Sequence, residues 1–229
     1  MAETGSERAL KVLRSMRWLQ AHDPALPDAF LAAGRLVSVG PGGWAHGEGD
    51  IETGLIFVIE GALQLLTRVR GDREVLIGHV EEGGTIGQTV RFGGGPRLVT
   101  AICVKPSLLL IVSDAALTRL SRDRPDIWRV VTTLAYAQMR AVIRANAELV
   151  ALPPRQRLAA RLLALAAPKG SRTPLRLAIG QQSLAELIGV TRKTANGLLS
   201  SFAAQGLVRL GYRSIELLDL RGLTRMAEH

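Results

Sequence analysis

Aromatic side chains are scarce in this chain. Phe, Trp and Tyr together make up 4% of its 229 residues. A core must therefore rest on Leu, Val, Ile and Ala. The hydrophobic content of 47% supplies them and excludes a disordered chain. Cysteine occurs once, at Cys103. That excludes an internal disulfide and any multi-cysteine zinc or iron–sulfur site. No apolar run reaches the roughly 18 residues that span a bilayer, so no membrane partner is expected. The opening "MAETGSERALKVLRSMRWLQ" puts acids before bases and has no apolar centre. No signal peptide is expected, and the cytoplasm is the expected location.

Acidic residues are also unevenly missing. Residues 151–229 hold 12 Lys/Arg against 4 Asp/Glu, whereas residues 1–150 hold 17 against 16. Nearly all of the +9 net charge therefore belongs to the last third. A basic module joined to a near-neutral one points to a polyanion, most often nucleic acid, although a solvated basic face has the same composition.

Glycine is segregated too. Sixteen of the 24 glycines lie between Gly34 and Gly95. Between and just beyond them stand short β-type runs: "RLVSV", "LIFVIEGALQLLTRV", "EVLIGHV", "LVTAICV" and "SLLLIVS". This texture predicts a β-sandwich or β-barrel. "RGDRE" (70–74) predicts a hairpin turn by its Gly-Asp pair. The first thirty residues read as helix and connection, closed by Pro24 and Pro27.

From Pro125 the period changes. Ile127, Val131, Leu134, Gln138, Ala141, Ala145 and Leu149 follow steps of four and three residues, alternating as far as Ala145. A second apolar row, Val130, Met139, Val142 and Ile143, runs beside it. No Gly or Pro interrupts 126–152, which predicts a helix roughly 40 Å long. A seam with an apolar shoulder predicts packing on its own domain and on a twin. The seam residues are the expected dimer interface; an internal core helix is the alternative. "LPPRQRLAARLLALA" then ends the helix near Leu152 and starts another at Pro153–Pro154. The expected domains are 1–124, 125–152 and 153–229.

The basic module is the most informative stretch. In "QQSLAELIGVTRKTANGLLSSFAAQGLVRL", Leu184, Leu187 and Ile188 form one apolar face around Ala185. Gly189 can take the positive φ of a tight turn, and Thr191 can cap the following helix. Ala195, Leu198, Leu199 and Phe202 give that helix its buried face. A small residue at the crossing and a permissive one in the turn are what a helix-turn-helix requires. Arg192, Lys193 and Asn196 then project outward, where Arg suits guanine and Asn suits adenine. Thr194, Gln182 and Ser183 suit phosphates. "LVRLGYRSIELLD" reads as a two-stranded wing with Arg213 at its tip. Gly197 weakens the second helix and leaves no side chain where a long basic one could read another base.

These residues resemble the cyclic-AMP receptor and fumarate–nitrate regulator (Crp/Fnr) superfamily of bacterial transcription regulators. The resemblance runs from about Arg35 to Asp219. It rests on "GLIFVIEGALQLL", "EEGGTIGQ", "GPRLVTAICVKPSLLLIV" and "LAELIGVTRKTANGLLSSF". It implies an α+β protein: an N-terminal cyclic-nucleotide-binding-type β-roll (jelly roll), a long dimerisation helix and a C-terminal winged helix-turn-helix. It further implies a homodimer on double-stranded DNA with a two-fold symmetric operator, RNA polymerase as a further partner, and Arg192 as guanine reader. Lys193 stands where the best-known members carry Glu, and Gly197 where some carry a base-reading Arg. Their operator is therefore not transferred.

The same resemblance defines a ligand question. Cyclic-nucleotide-binding members carry Gly-Glu and then Arg followed by a small or hydroxyl residue. Gly87 and Arg97 match, while Gln88 replaces the acid and Leu98 the small residue. Val142 and Ile143 fall where the long helix would offer hydroxyls to an adenine. Cyclic AMP or cyclic GMP, another small effector, and no ligand all stay open. A cupin-type enzyme would need several histidines with a carboxylate on a metal. Four histidines with no His-x-His pair do not supply that, so no enzyme and no metal are expected. His46 and His79 are the roll histidines, either of which could ligate haem; an ordinary surface or turn position is the expectation for both.

Overall fold

The computed structural model describes residues 4–89, 94–170 and 172–228, leaving aside the side chain of Gln88. They fall into two compact units. One runs to Gln138 and the other from Met139, with Val75–Gly78 grouped with the second.

The first unit opens with α1 (Gly5–Ser15), α2 (Arg17–Gln20) and α3 (Leu26–Ala33). Thr4 and Glu7 form a reciprocal capping box that starts α1. Pro27 does not close the segment as expected. It sits in the first turn of α3, where its missing N–H costs nothing and its fixed φ suits a helix start.

Eight strands follow: β1 (Arg35–Val39), β2 (Trp44–His46), β3 (Gly54–Glu60), β4 (Ala62–Val69), β5 (Arg73–Glu81), β6 (Thr85–Gln88), β7 (Thr100–Cys103) and β8 (Ser107–Ser113). They build two four-stranded sheets, in the orders β1-β8-β3-β6 and β2-β7-β4-β5. The β4–β5 turn carries Gly71 and Asp72 at φ 84° and 55°, the left-handed pair that a Gly-Asp hairpin was expected to supply. Ile56, Val58, Leu63, Ile86, Ala101, Cys103 and Leu109 make one buried cluster of the roll. Alternate residues of the same strands, Leu55, Phe57, Ile59, Leu110 and Val112, pack with α1–α3 and with the helix α4 (Asp114–Asp123). Strand β3 is thus covered on both faces, which is why it reads as a continuous apolar run.

Helix α5 (Ile127–Ala151) is the long helix expected from the sequence. The first half of its seam is not free to meet a twin, and this corrects the expected interface at Ile127, Val131 and Leu134. Ile127, Val131 and Leu134 are 0%, 3% and 7% exposed within the first unit's own core. Gln138 Nε2 donates to the Thr85 carbonyl at 2.9 Å. In the second unit, Ala145 and Leu149 border a shallow crevice with Arg157, Arg161, Leu187 and Ile188. Of the seven seam residues, Ala141 and Leu149 are exposed and Ala145 is half-buried. The periodicity defined a face whose first half, Ile127 to Leu134, is satisfied within the chain's own core. A different stripe is exposed. Tyr136, Met139, Ile143 and Val150 are 66%, 62%, 62% and 82% accessible and recur at helical spacing on the opposite side.

The second unit continues with α6 (Pro154–Ala166), β9 (Leu175–Leu177), α7 (Gln181–Leu187), α8 (Arg192–Ala204), β10 (Val208–Gly211), β11 (Ser214–Leu217) and α9 (Leu220–Glu228). The strands form one sheet in the order β10-β11-β9. Leu158, Leu162, Leu184, Phe202, Ile215 and Leu223 are fully or almost fully buried in its core. The end of α5 is capped from α6, with Arg157 Nη1 donating to the Leu149 carbonyl at 3.1 Å. Burial pushes the Arg161 guanidinium below the ordinary arginine range, opposed by the nearby Glu148 carboxylate.

Candidate functional site

The helix-turn-helix is α7 and α8. Ala185 is fully buried between them, and its carbonyl accepts from Val190 N at 3.0 Å. Gly189 turns the chain at φ 66°, a conformation that a side chain would strain. Thr191 Oγ1 caps α8 by accepting from Thr194 N at 3.1 Å, and the two hydroxyl oxygens lie 2.9 Å apart. Ala195, Leu199 and Phe202 are buried, and this fixes the opposite side of α8 as the outward one.

Arg192, Lys193 and Thr194 in the first turn, and Gly197 on the outward side, are exposed. Asn196 departs from the expectation. It is half-buried at the flank, and its Oδ1 is enclosed with no hydrogen-bond partner among the described residues. Gln182 is exposed and donates to Glu186 Oε1 at 2.6 Å, while Ser183 is half-buried. The wing turns at Tyr212–Arg213, and Arg213 is exposed at its tip with φ 47°. Not every basic residue of this unit is available to a polyanion. Arg155 donates to Gln205 Oε1 at 3.2 Å and lies 5.7 Å from the Phe202 ring centre. Arg209 pairs with Glu216 across the wing.

In the roll the residues of the expected ligand loop have other duties. Arg97 is 5% exposed. Its Nε donates to the Glu52 carbonyl at 3.0 Å, and its Nη1 to the Gly54 carbonyl at 2.9 Å. Its backbone also pairs with the 49–50 segment, accepting from Gly49 N and donating to the Asp50 carbonyl at 2.8 Å each. Burial lowers the Arg97 pKa, while the Asp114 and Asp50 carboxylates favour its charge. Gly87 stands directly behind the guanidinium. A Cβ there would lie 2.0 Å from the Gly54 carbonyl oxygen and 3.1 Å from Arg97 Nη1. Leu98 is 71% exposed, so its bulk goes to solvent. Val142 and Ile143 are exposed on α5 in the second unit, whereas Gly87 and Arg97 belong to the first. Gln88 pairs with Gly54 through its backbone at the end of β6, and its side chain lies outside the described residues.

Among the described residues of the loop, Arg97 already gives two of its three nitrogens to main-chain carbonyls. The histidines, expected at the surface or in turns, are enclosed. His46 is 9% exposed, and burial followed by Arg97 repulsion lowers its pKa to about 4. The His79 side chain is buried 3.5 Å from Glu81. Among the described residues no group of three or more His, Cys, Asp or Glu could hold a metal ion. Nor is any helix long and apolar enough to cross a membrane.

Comparison with known proteins agrees with this architecture. Residues 36–124 match the cyclic nucleotide-binding domain family, and residues 156–226 match the Crp-like helix-turn-helix domain family. A CRP-like cAMP-activated global transcriptional regulator of Mycobacterium tuberculosis is 28% identical over 184 residues, covering 79% of this chain and 82% of that one. The nitrogen fixation regulation protein FixK of Bradyrhizobium diazoefficiens is 26% identical over 204 residues, covering 86% and 84%. Among solved structures, FixK2 from Bradyrhizobium japonicum superposes with a TM-score of 0.73 at 17% identity, over 84% of this chain and 96% of that one. A cyclic-nucleotide-binding-type roll, a long helix and a winged helix-turn-helix thus follow one another along the chain in the order those regulators use. The chain belongs to the Crp/Fnr superfamily, as a DNA-binding transcription regulator.

Proposed function

We propose that this protein acts as a homodimer on a two-fold symmetric operator in double-stranded DNA. Arg192 and Lys193 read bases from the first turn of α8. Thr191, Thr194, Gln182, Ser183 and Arg213 set the register on phosphates. The observation that carries this reading is the exposure of Arg192 and Lys193 on the capped first turn of α8, whose buried face is Ala195, Leu199 and Phe202. Residues 1–124, 125–152 and 153–229 then divide the work as sensor-derived roll, pairing helix and DNA reader, with RNA polymerase as the second macromolecular partner. Pairing uses the exposed stripe Tyr136, Met139, Ile143 and Val150.

Selection of operators from a randomised duplex pool tests the reading. Arg192→Ala is expected to cost roughly 1–3 kcal/mol at one base position in each half-site. Uniform weakening on all sequences would instead assign Arg192 to a phosphate.

For the roll, Arg97 is an internal brace, and the regulator is not switched through a cyclic phosphate at that residue. One observation favours the opposite reading: the mycobacterial relative is named as cAMP-activated. Calorimetry with cyclic AMP and cyclic GMP on wild type and Arg97→Ala separates them. The brace predicts no binding heat with either protein. It also predicts a stability loss of about 1–3 kcal/mol in the variant, because two buried carbonyls lose their donors. Wild-type binding that Arg97→Ala abolishes, with the fold intact, would reverse this assignment.

A further inference from the structure

Between β2 and β3 the chain runs as a strap without helix or strand, residues 47–53. Residues 48–52 are exposed, whereas Arg97 beside them is 5% exposed. Four hydrogen bonds tie the strap and its end at Gly54 to this one residue. Gly49 N donates to the Arg97 carbonyl and Arg97 N to the Asp50 carbonyl, at 2.8 Å each. The Arg97 guanidinium donates to the Glu52 and Gly54 carbonyls at 3.0 and 2.9 Å. Thr53 Oγ1 adds a bond to the Asp114 carboxylate, and Glu48 N one to Thr100 Oγ1 at 3.0 Å.

His46 stands where the strap begins. It is 9% exposed, and its Nδ1 is enclosed with no hydrogen-bond partner among the described residues. Ala101 is opposite it on β7. The charged groups that face it are Arg97, which repels a protonated imidazole, and Asp50 of the strap, which attracts one. Asp50 is already engaged, because its Oδ2 accepts from Gly47 N at 2.7 Å. A proton on His46 therefore puts a second cation beside a buried guanidinium and gives Nδ1 a donor with no acceptor. Burial first and Arg97 second lower the His46 pKa from 6.5 to about 4, while the Gly47 backbone, Asp50 and the Val99 backbone oppose the shift.

We infer that residues 47–53 form an acid-released strap, in which a proton on His46 detaches the segment from Arg97. This rests on the reading of Arg97 as an internal brace, and it adds what loosens the brace. With the strap closed, His46 stays neutral down to about pH 4. With the strap open, water reaches the imidazole, which then takes a proton at its ordinary value of 6.5. Closure is therefore fully favoured above that value. It weakens as pH falls from there towards the closed-state value, because only the open state binds the proton in that interval. The opening equilibrium rises by about tenfold per pH unit. The roll thereby has an input, acidity, that needs no bound molecule.

The test uses the full chain. Amide hydrogen exchange, corrected for the intrinsic rate, is followed from about pH 7.5 to about pH 4.5 at Gly49 and Arg97. Val58 is the reference, because its N–H is bonded to the Gly84 carbonyl at 2.9 Å, outside the strap. Gly49 and Arg97 should be protected at neutral pH and should lose protection by about tenfold per pH unit in acid, while Val58 does not follow. His46→Gln cannot take the proton and should hold that protection within about threefold over the same range. Titration of the wild-type His46 imidazole by NMR does not depend on the variant folding, and its midpoint should fall below about 5. Three results would overturn the inference. One is a His46 midpoint near its ordinary value in the folded protein. Another is wild-type protection that ignores pH, or that Val58 loses in parallel. The third is His46→Gln keeping the wild-type acid response, which would assign it to the Asp50 and Asp114 carboxylates. Gly49 and Arg97 amides already unprotected at neutral pH would instead defeat the brace reading, and the strap with it.

Discussion

Ile143→Asp is expected to turn the protein into a monomer and to weaken operator binding by about 10²–10⁴-fold. The residue is 62% exposed within the chain and lies between Met139 and Val150 on an apolar stripe whose four members are all more than 60% accessible. A contiguous exposed apolar stripe marks a contact surface. A two-fold interface places each such residue opposite the same surface patch, so one substitution introduces two charges. Neither carboxylate would find a partner in an apolar contact, and burying it unpaired costs several kcal/mol. The operator effect follows because a monomer must bind each half-site alone. Ala141→Asp is the control: Ala141 belongs to the original seam, away from this stripe, and should leave the dimer intact. Light scattering coupled to gel filtration reads the first effect, and anisotropy on a two-fold operator reads the second. A dimeric Ile143→Asp protein with normal operator affinity would move the interface elsewhere.

Gly87→Ala is expected to destabilise the roll by at least about 3 kcal/mol and to lower its melting temperature by roughly 6–12 °C. Gly87 has φ 126°, a region that side chains rarely enter. Its missing Cβ would stand 2.0 Å from the Gly54 carbonyl oxygen, which Arg97 also holds. The methyl group must therefore push β6 off β3 or displace the buried guanidinium. Either movement breaks a hydrogen bond in a region that excludes water. The contrast with Gly197, where a Cβ meets no atom within 4 Å, makes the prediction specific: alanine at position 87 should melt lower, and alanine at 197 higher. Differential scanning calorimetry reads both. A Gly87→Ala transition within a degree of wild type would mean that the close approach of β6 and β3 is not maintained in solution.

The two ends of the chain differed in how far they could be read. The helix-turn-helix was legible because its determinants are local. Ala185 at the crossing, Gly189 in the turn and Thr191 at the cap lie within seven residues, and each has a single physical reason to be there. The strands of the roll were legible as apolar runs between glycines, except β2 and β6, whose three and four residues are too short to show a period. Helix α5 was legible in length but not in partner. A four-three periodicity identifies a buried face and is silent on whether that face meets a twin or the chain's own core. Arg97 was the least legible. Its acceptors are carbonyls of residues 43 and 45 positions earlier, and main-chain oxygens leave no mark in a sequence. The half-burial of Asn196 at the flank of α8 was likewise invisible to a simple count of outward positions.

Salt-dependent binding to the selected operator and to a scrambled duplex of equal length tests the central claim most directly. A base-reading helix set on phosphate contacts should give steeply falling affinity for both duplexes between about 50 and 200 mM salt, because neutralised phosphates release counterions. The operator should stay at least about 10³-fold tighter than the scramble at physiological salt, and Arg192→Ala should shrink that ratio more than it changes the salt slope. Affinity indifferent to salt, or equal for operator and scramble, would contradict the account of this chain as a sequence-reading regulator.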